Sequence, residues 1–134
     1  DRGSVWEEAM GKTAEEIIDV LKEIDAKNLG VTFDVGHAHT LGDPADFAVK
    51  LAPYTVNVHL HDNDGSRDHH LVIGEGTVDF LKVLRVLKEN DYAGPLVLEY
   101  FDPASLVKAK VQLQKLLKGS ESFRFGLSRE TKQP

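Results

Sequence analysis

From Thr13 to Gly30 apolar residues recur at helical spacing. Ile17, Ile18, Leu21 and Ile24 share one face, Thr13 and Glu16 stand at capping-box distance, and Gly30 offers a stop. The pattern then shortens to "VTFDVG", a β-branched run that predicts a strand. "DPADFAVKLAP" follows with Asp43 as N-cap and Pro44 at the first helical position. "TVNVHL", Thr55 to Leu60, predicts a second strand. A helix over Thr77 to Asn90 carries Phe80, Leu81, Leu84 and Leu87 on one face. "LVLEY", Leu96 to Tyr100, predicts a third strand, and "DPASLVKAKVQLQKLLKG" a last helix.

Strict alternation of helix and strand predicts the α/β class, with parallel strands joined by right-handed crossovers. The nearly apolar strands suit a sheet covered on both faces. Residues 119–134 lack periodicity and are expected to form a tail.

The ionisable residues gather where the strands end. Asp34 and His37 close the first, His59, His61 and Asp62 the second, and Glu99 the third. Parallel α/β folds place their sites at that edge, because the loops after the strands converge there. Asp34, His59 and Glu99 come from three strands and could share one divalent cation. Their mixed oxygen and nitrogen donors suit Mn²⁺, Mg²⁺, Co²⁺ or Zn²⁺. Alone, an Asp at a strand end is as readily a helix cap, and His59 between Val58 and Leu60 as readily a satisfied core residue. Glu99 after "PLVL" is harder to place otherwise, since a part-buried carboxylate needs a partner.

Composition narrows the chemistry. Of 134 residues, 41% are hydrophobic and 28% charged, the balance of a soluble globular domain. The net charge of −6 disfavours nucleic acid, which selects a basic surface. The absence of cysteine removes thiolate ligands, cysteine nucleophiles and disulfides, and fits a cytoplasmic protein. No stretch approaches the ~18 apolar residues of a membrane span.

"FDVGHAH", "NVHLHDNDGSRDHHLVIGEGTVDF" and "GPLVLEY" resemble the second half of a xylose-isomerase-like TIM barrel. That superfamily includes sugar isomerases and epimerases as well as AP endonucleases of the endonuclease IV type. The resemblance implies that residues 1–118 supply strands six to eight of a (β/α)8 barrel. It makes Asp34, His59 and Glu99 metal ligands, with Glu99 also a catalytic acid/base. It gives His37 a catalytic, substrate-binding or further metal role, makes Asp68 and His70 ligands of an additional cation, and places Arg67 near a substrate-contacting arginine. His39, His61 and His69 match no family role and read as loop residues or supports behind the ligands.

The implied activity is sugar, or sugar phosphate, isomerisation or epimerisation through a metal-stabilised enediolate. The alternative is zinc-dependent cleavage at abasic DNA. A full barrel takes ~250 residues. A three-strand chain is therefore expected to be a C-terminal half whose strand-five glutamate precedes Asp1. It is expected to cover its open sheet edge in a dimer or higher homo-oligomer, and to be an inactive structural fragment if it is naturally this short.

Overall fold

The computed structural model describes residues 10–119. The first helix, α1 (Ala14–Ile24), starts where the spacing predicts. Thr13 accepts from the Glu16 amide at 3.2 Å, while the Glu16 carboxylate reaches back to the Gly11 and Lys12 amides at 3.0 Å each. It ends earlier than Gly30, because Asp25 turns left-handed (φ 48°) and gives its amide to Leu21. Gly30 instead allows close approach to the Thr55–Leu60 strand, where any Cβ would collide with the Val56 side chain.

Strands β1 (Val31–Asp34), β2 (Thr55–Leu60) and β3 (Leu96–Leu98) form one parallel sheet in that order. Between β1 and β2 lie α2 (Val35–Leu41) and α3 (Pro44–Leu51) with a 3₁₀ turn over Ala52–Tyr54. Helix α4 (Phe80–Glu89) precedes β3 and α5 (Pro103–Gly119) follows it. The predicted tail, apart from Gly119, lies outside the described residues.

Helix α2 is an element the hydrophobic pattern does not predict. It exists because Asp34 caps it, accepting from the His37 amide at 2.8 Å. Asp43 caps α3 as expected, and Asp102 accepts from Ser105 at the start of α5. Helix α4 starts at Phe80 rather than Thr77, with Asp79 as its N-cap accepting from the Lys82 amide. Its buried face is Phe80, Val83, Leu84 and Leu87, and Leu81 is turned outward.

Burial alternates along the strands. Val31, Phe33, Val58 and Leu60 are buried with Ala45, Ala48 and Leu51 of α3 and the buried face of α4. Each fully buried Leu or Val side chain contributes about 1.5–3 kcal/mol through removal from water. The other sheet face, with Thr32 and Val97, is exposed among the described residues, so only one face is covered by helices there. The expectation of two covered faces came from apolar content alone. Residues 32, 57, 59 and 97, at alternate positions, belong to the second face.

Candidate metal centre

Register brings the candidate ligands together. Asp34 pairs with His59 and Leu60 with Leu98, so one further step sets Glu99 level with His61. Asp34 serves two purposes. Its Oδ1 caps α2 and also accepts from the His61 ring Nε2–H at 2.9 Å. Its Oδ2 stands 3.4 Å from His37 Nδ1 and 3.8 Å from His59 Nδ1. His59 Nδ1 lies 2.8 Å from Glu99 Oε2. Asp34, His59 and Glu99 thus meet at the sheet edge. Donor atoms of Asp34, His61 and Glu99 also lie within 4.8 Å of one another, so His61 enters the same group.

A second group adjoins the first. Donor atoms of His37, His61, Asp68 and His70 lie within 4.8 Å of one another. Asp68 Oδ2 is 2.9 Å from His37 Nε2 and 3.1 Å from His70 Nε2, and Asp68 Oδ1 is 3.4 Å from His61 Nδ1. The His61 and His70 rings stack with centroids 3.8 Å apart. Two groups of side chains that could hold a cation therefore meet at His61.

His61 lies outside the ligand set that the sequence predicts, and Asp62 has no separate role in it. Both are fully buried, as is Asn63. Strand periodicity carried the signal for His61, since residues two apart share a face and His59 already pointed to the site. Asp62 points the other way. Its carboxylate accepts from the amides of Asn63, Gly74, Gly76 and Val78, at 2.8–3.1 Å. Backbone bonds in both directions with Leu71 close the base of the loop. Gly76 is required there, because a Cβ would run into Asp62 and the Asn63 carbonyl. Asn63 ties the loop to α2 by donating to the Gly36 carbonyl at 2.8 Å.

The other candidates lie further out. Arg67 is exposed and donates to His69 at 2.6 Å. His39 bonds Thr77 at 2.9 Å. Phe101, which no sequence pattern marks, is 88% exposed and packs against His70 with ring centroids 4.7 Å apart.

Electrostatics favour a positive charge between the carboxylates. Burial opposes ionisation of Asp34, yet hydrogen bonds from the His61 ring and the His37 amide outweigh it and hold the carboxyl below its ordinary range. Burial likewise opposes the His61 imidazolium, but Asp34, then Asp68 and Glu99, raise its pKa above the usual value. The donors therefore fit a divalent cation, and the sharpest sign is His61 Nδ1. It is buried, without a hydrogen bond among the described residues, and faces a carboxylate.

Residues 5–118 match the family described as Xylose isomerase-like TIM barrel. The chain belongs to that family. An uncharacterised protein of Methanocaldococcus jannaschii is 45% identical over 111 residues, covering 81% of this chain and 38% of its own length. A solved D-tagatose 3-epimerase-like protein superposes with TM-score 0.77 at 44% identity, covering 82% of this chain and 42% of that one. A xylose isomerase domain protein from Planctomyces limnophilus gives TM-score 0.67 at 26% identity over 80% and 42%. This chain spans about two fifths of the length of these relatives. Its three parallel strands and their helices form part of the family's barrel. Among the described residues no helix is long and apolar enough to cross a membrane.

Proposed function

We propose that the full protein is a divalent-metal-dependent sugar isomerase or epimerase. The observation that carries this reading is the Glu99 carboxylate at the end of β3, beside Asp34 and the β2 histidines, in a chain 44% identical to a D-tagatose 3-epimerase-like protein. Asp34, His59 and Glu99 would hold the cation, with Mn²⁺, Mg²⁺, Co²⁺ and Zn²⁺ all compatible with such donors. When bound, it supplies Lewis-acid polarisation of a sugar carbonyl and its neighbouring hydroxyl.

The remaining chemistry falls to side chains. Glu99 takes or returns the proton of the carbon next to the carbonyl, as general base and then acid. His37, 57% exposed, donates a hydrogen bond to a substrate hydroxyl, and Arg67 supplies a charged contact from the loop. Exposed Phe101 offers an apolar face for the C–H side of a sugar ring.

The test is solvent exchange. The full-length protein, loaded with Mn²⁺ or Co²⁺ and incubated with ketohexoses in D₂O, should incorporate deuterium at the carbon adjacent to the carbonyl, read by proton NMR. Glu99→Gln should remove exchange by about 10²-fold or more while leaving the fold intact. Absence of exchange across the ketohexoses and their phosphates, with cation bound, would reject the proposal.

Convergence of His37, Asp68 and His70 favours one second reading, zinc-dependent cleavage at abasic DNA. The net charge of −6 weighs against it. Incision of an abasic duplex by the zinc-loaded protein would establish it.

A further inference from the structure

Arg67 has two acidic residues close by in the chain, Asp64 and Asp68, yet among the described residues it pairs with neither. The Asp64 carboxylate accepts from the Ser66 amide at 2.9 Å and from the Ser66 hydroxyl at 2.6 Å. The Asp68 carboxylate is taken up by His37, His61 and His70. The contact Arg67 does make is to an imidazole, since its Nε–H donates to His69 Nε2 at 2.6 Å. A guanidinium has five N–H donors, and this bond uses the one nearest the main chain. Both Nη amino groups are without a hydrogen-bond partner among the described residues. Their outer edge matches a phosphate or a carboxylate in two parallel bonds.

His69 is itself held. An accepting Nε2 places the ring proton on Nδ1. That nitrogen is buried and lies 3.5 Å from Asp64 Oδ1. The Ser66 hydroxyl, then the Ser66 amide, keep the Asp64 carboxyl below its ordinary range, so a fixed negative charge faces the Nδ1–H. The backbone separates the two adjacent histidines. His70 is left-handed, at φ 49°, and bonds the Glu99 carbonyl, while His69 stays with the loop tip. Asp68, next to Arg67, meets His37 at 2.9 Å, so this tip stands at the rim of the site.

We infer that His69 is a positioning residue: backed by Asp64, it ties the inner edge of the Arg67 guanidinium and presets the outer edge for an anionic group of the substrate, a phosphate or a carboxylate. A long side chain ordered only at the moment of binding costs affinity, and one ordered beforehand does not. No described carboxylate neutralises the guanidinium, and a neutral sugar leaves its charge unanswered. The substrate class rests on the isomerase reading above; the presetting of Arg67 and its capture of an anion do not.

Inorganic phosphate is the first probe, read by NMR on the full-length protein with ¹⁵N-labelled arginine. The Arg67 Nε–H resonance, assigned by its absence in Arg67→Lys, should exchange slowly with water and shift as phosphate is added. His69→Ala should abolish the slow exchange and weaken phosphate binding by about tenfold, the cost of ordering one long side chain. His69→Gln keeps an acceptor at similar reach, should restore most of both, and covers the case in which His69→Ala distorts the loop. No phosphate-induced shift in wild type, or equal phosphate affinity in wild type and His69→Ala, would overturn the assignment. The second probe is solvent exchange with ketohexose phosphates and with hexuronates, which tells the two anions apart. His69→Ala should raise KM for the preferred anionic sugar by about tenfold with kcat held within about twofold, and leave KM for neutral ketohexoses in place. An equal rise for neutral sugars would overturn the positioning role, and exchange with neutral sugars alone would overturn the anionic substrate. No exchange with any sugar, beside a phosphate-induced shift that His69→Ala weakens, would reject the isomerase reading and leave the preset arginine standing.

Discussion

Asp62 and Asp68 are six residues apart, yet their surroundings are opposites. The Asp62 carboxylate is fully buried and meets four backbone amides of its own loop. The Asp68 carboxylate is part-exposed and meets three histidine rings. Amides always donate, so the chain itself completes Asp62. Neutral imidazoles donate from one nitrogen only, and two of the three rings already spend that N–H elsewhere. Folding alone finishes the first cluster, whereas the second is completed by a proton or a cation.

The largest expected effect breaks the finished cluster. Asp62→Ala leaves four loop amides without their acceptor in a closed space, at a cost of about 3 kcal/mol or more. Urea unfolding of the metal-free protein should show it as a lower midpoint. Asp68→Ala should cost less under the same conditions, since the Asp68 carboxylate is itself part-exposed, although the His61 and His70 rings it meets are buried. With Zn²⁺ at a hundred times its Kd the order of sensitivity changes. Wild type gains up to about 2.7 kcal/mol and Asp68→Ala gains none from this site. Equal zinc stabilisation of both would erase the contrast between the two clusters.

Gly36→Ala sharpens the same comparison without touching a ligand. Gly36 lies in the first turn of α2, and a Cβ there would fall on the His61 ring. The ring must shift, so overpacking should cost about 1–3 kcal/mol. Cation affinity should fall with it, because His61 loses both the Asp34 bond and its direction toward Asp68. The reading is a Co²⁺ titration beside an unfolding curve. Destabilisation with unchanged Co²⁺ binding would show that His61 is packing and not a ligand.

Parallel strands, four of the five α-helices among the described residues and the meeting of Asp34, His59 and Glu99 were legible in the sequence. Strand ends are marked by abrupt polar residues after apolar runs, and parallel topology brings those ends together. Less legible was anything depending on which way the backbone turns next. Helix α2 has seven residues, too few for a period to show, and rests on one capping bond from Asp34. Asp62 draws on amides at four positions, and amides leave no trace in a sequence beyond Gly74, which takes a left-handed φ of 90°, and Gly76, which makes room for the carboxylate. His61 was within reach of the period-two rule but stands just past the last strand residue, where that rule is normally dropped.

The smallest expected effect comes from a third carboxylate, one completed by the chain but left at the surface. Asp43 accepts from the Ala45 amide at 2.9 Å and pairs with Lys82 of α4. The Lys82 contact, then the amide, hold its carboxyl below the ordinary range. A depressed folded-state value contributes stability above the unfolded pKa and loses it as pH falls through the folded one. Asp43→Ala should therefore cost about 1 kcal/mol at neutral pH, the usual value of an N-cap. The gap to wild type should narrow on acidification below the ordinary Asp range. Asp43→Asn keeps the cap and drops the charge, so it should retain most of the stability and flatten the pH dependence. If Asp43→Ala instead cost as much as Asp62→Ala, burial would not be what separates these carboxylates, and the ranking from Asp62 down to Asp43 would need another cause.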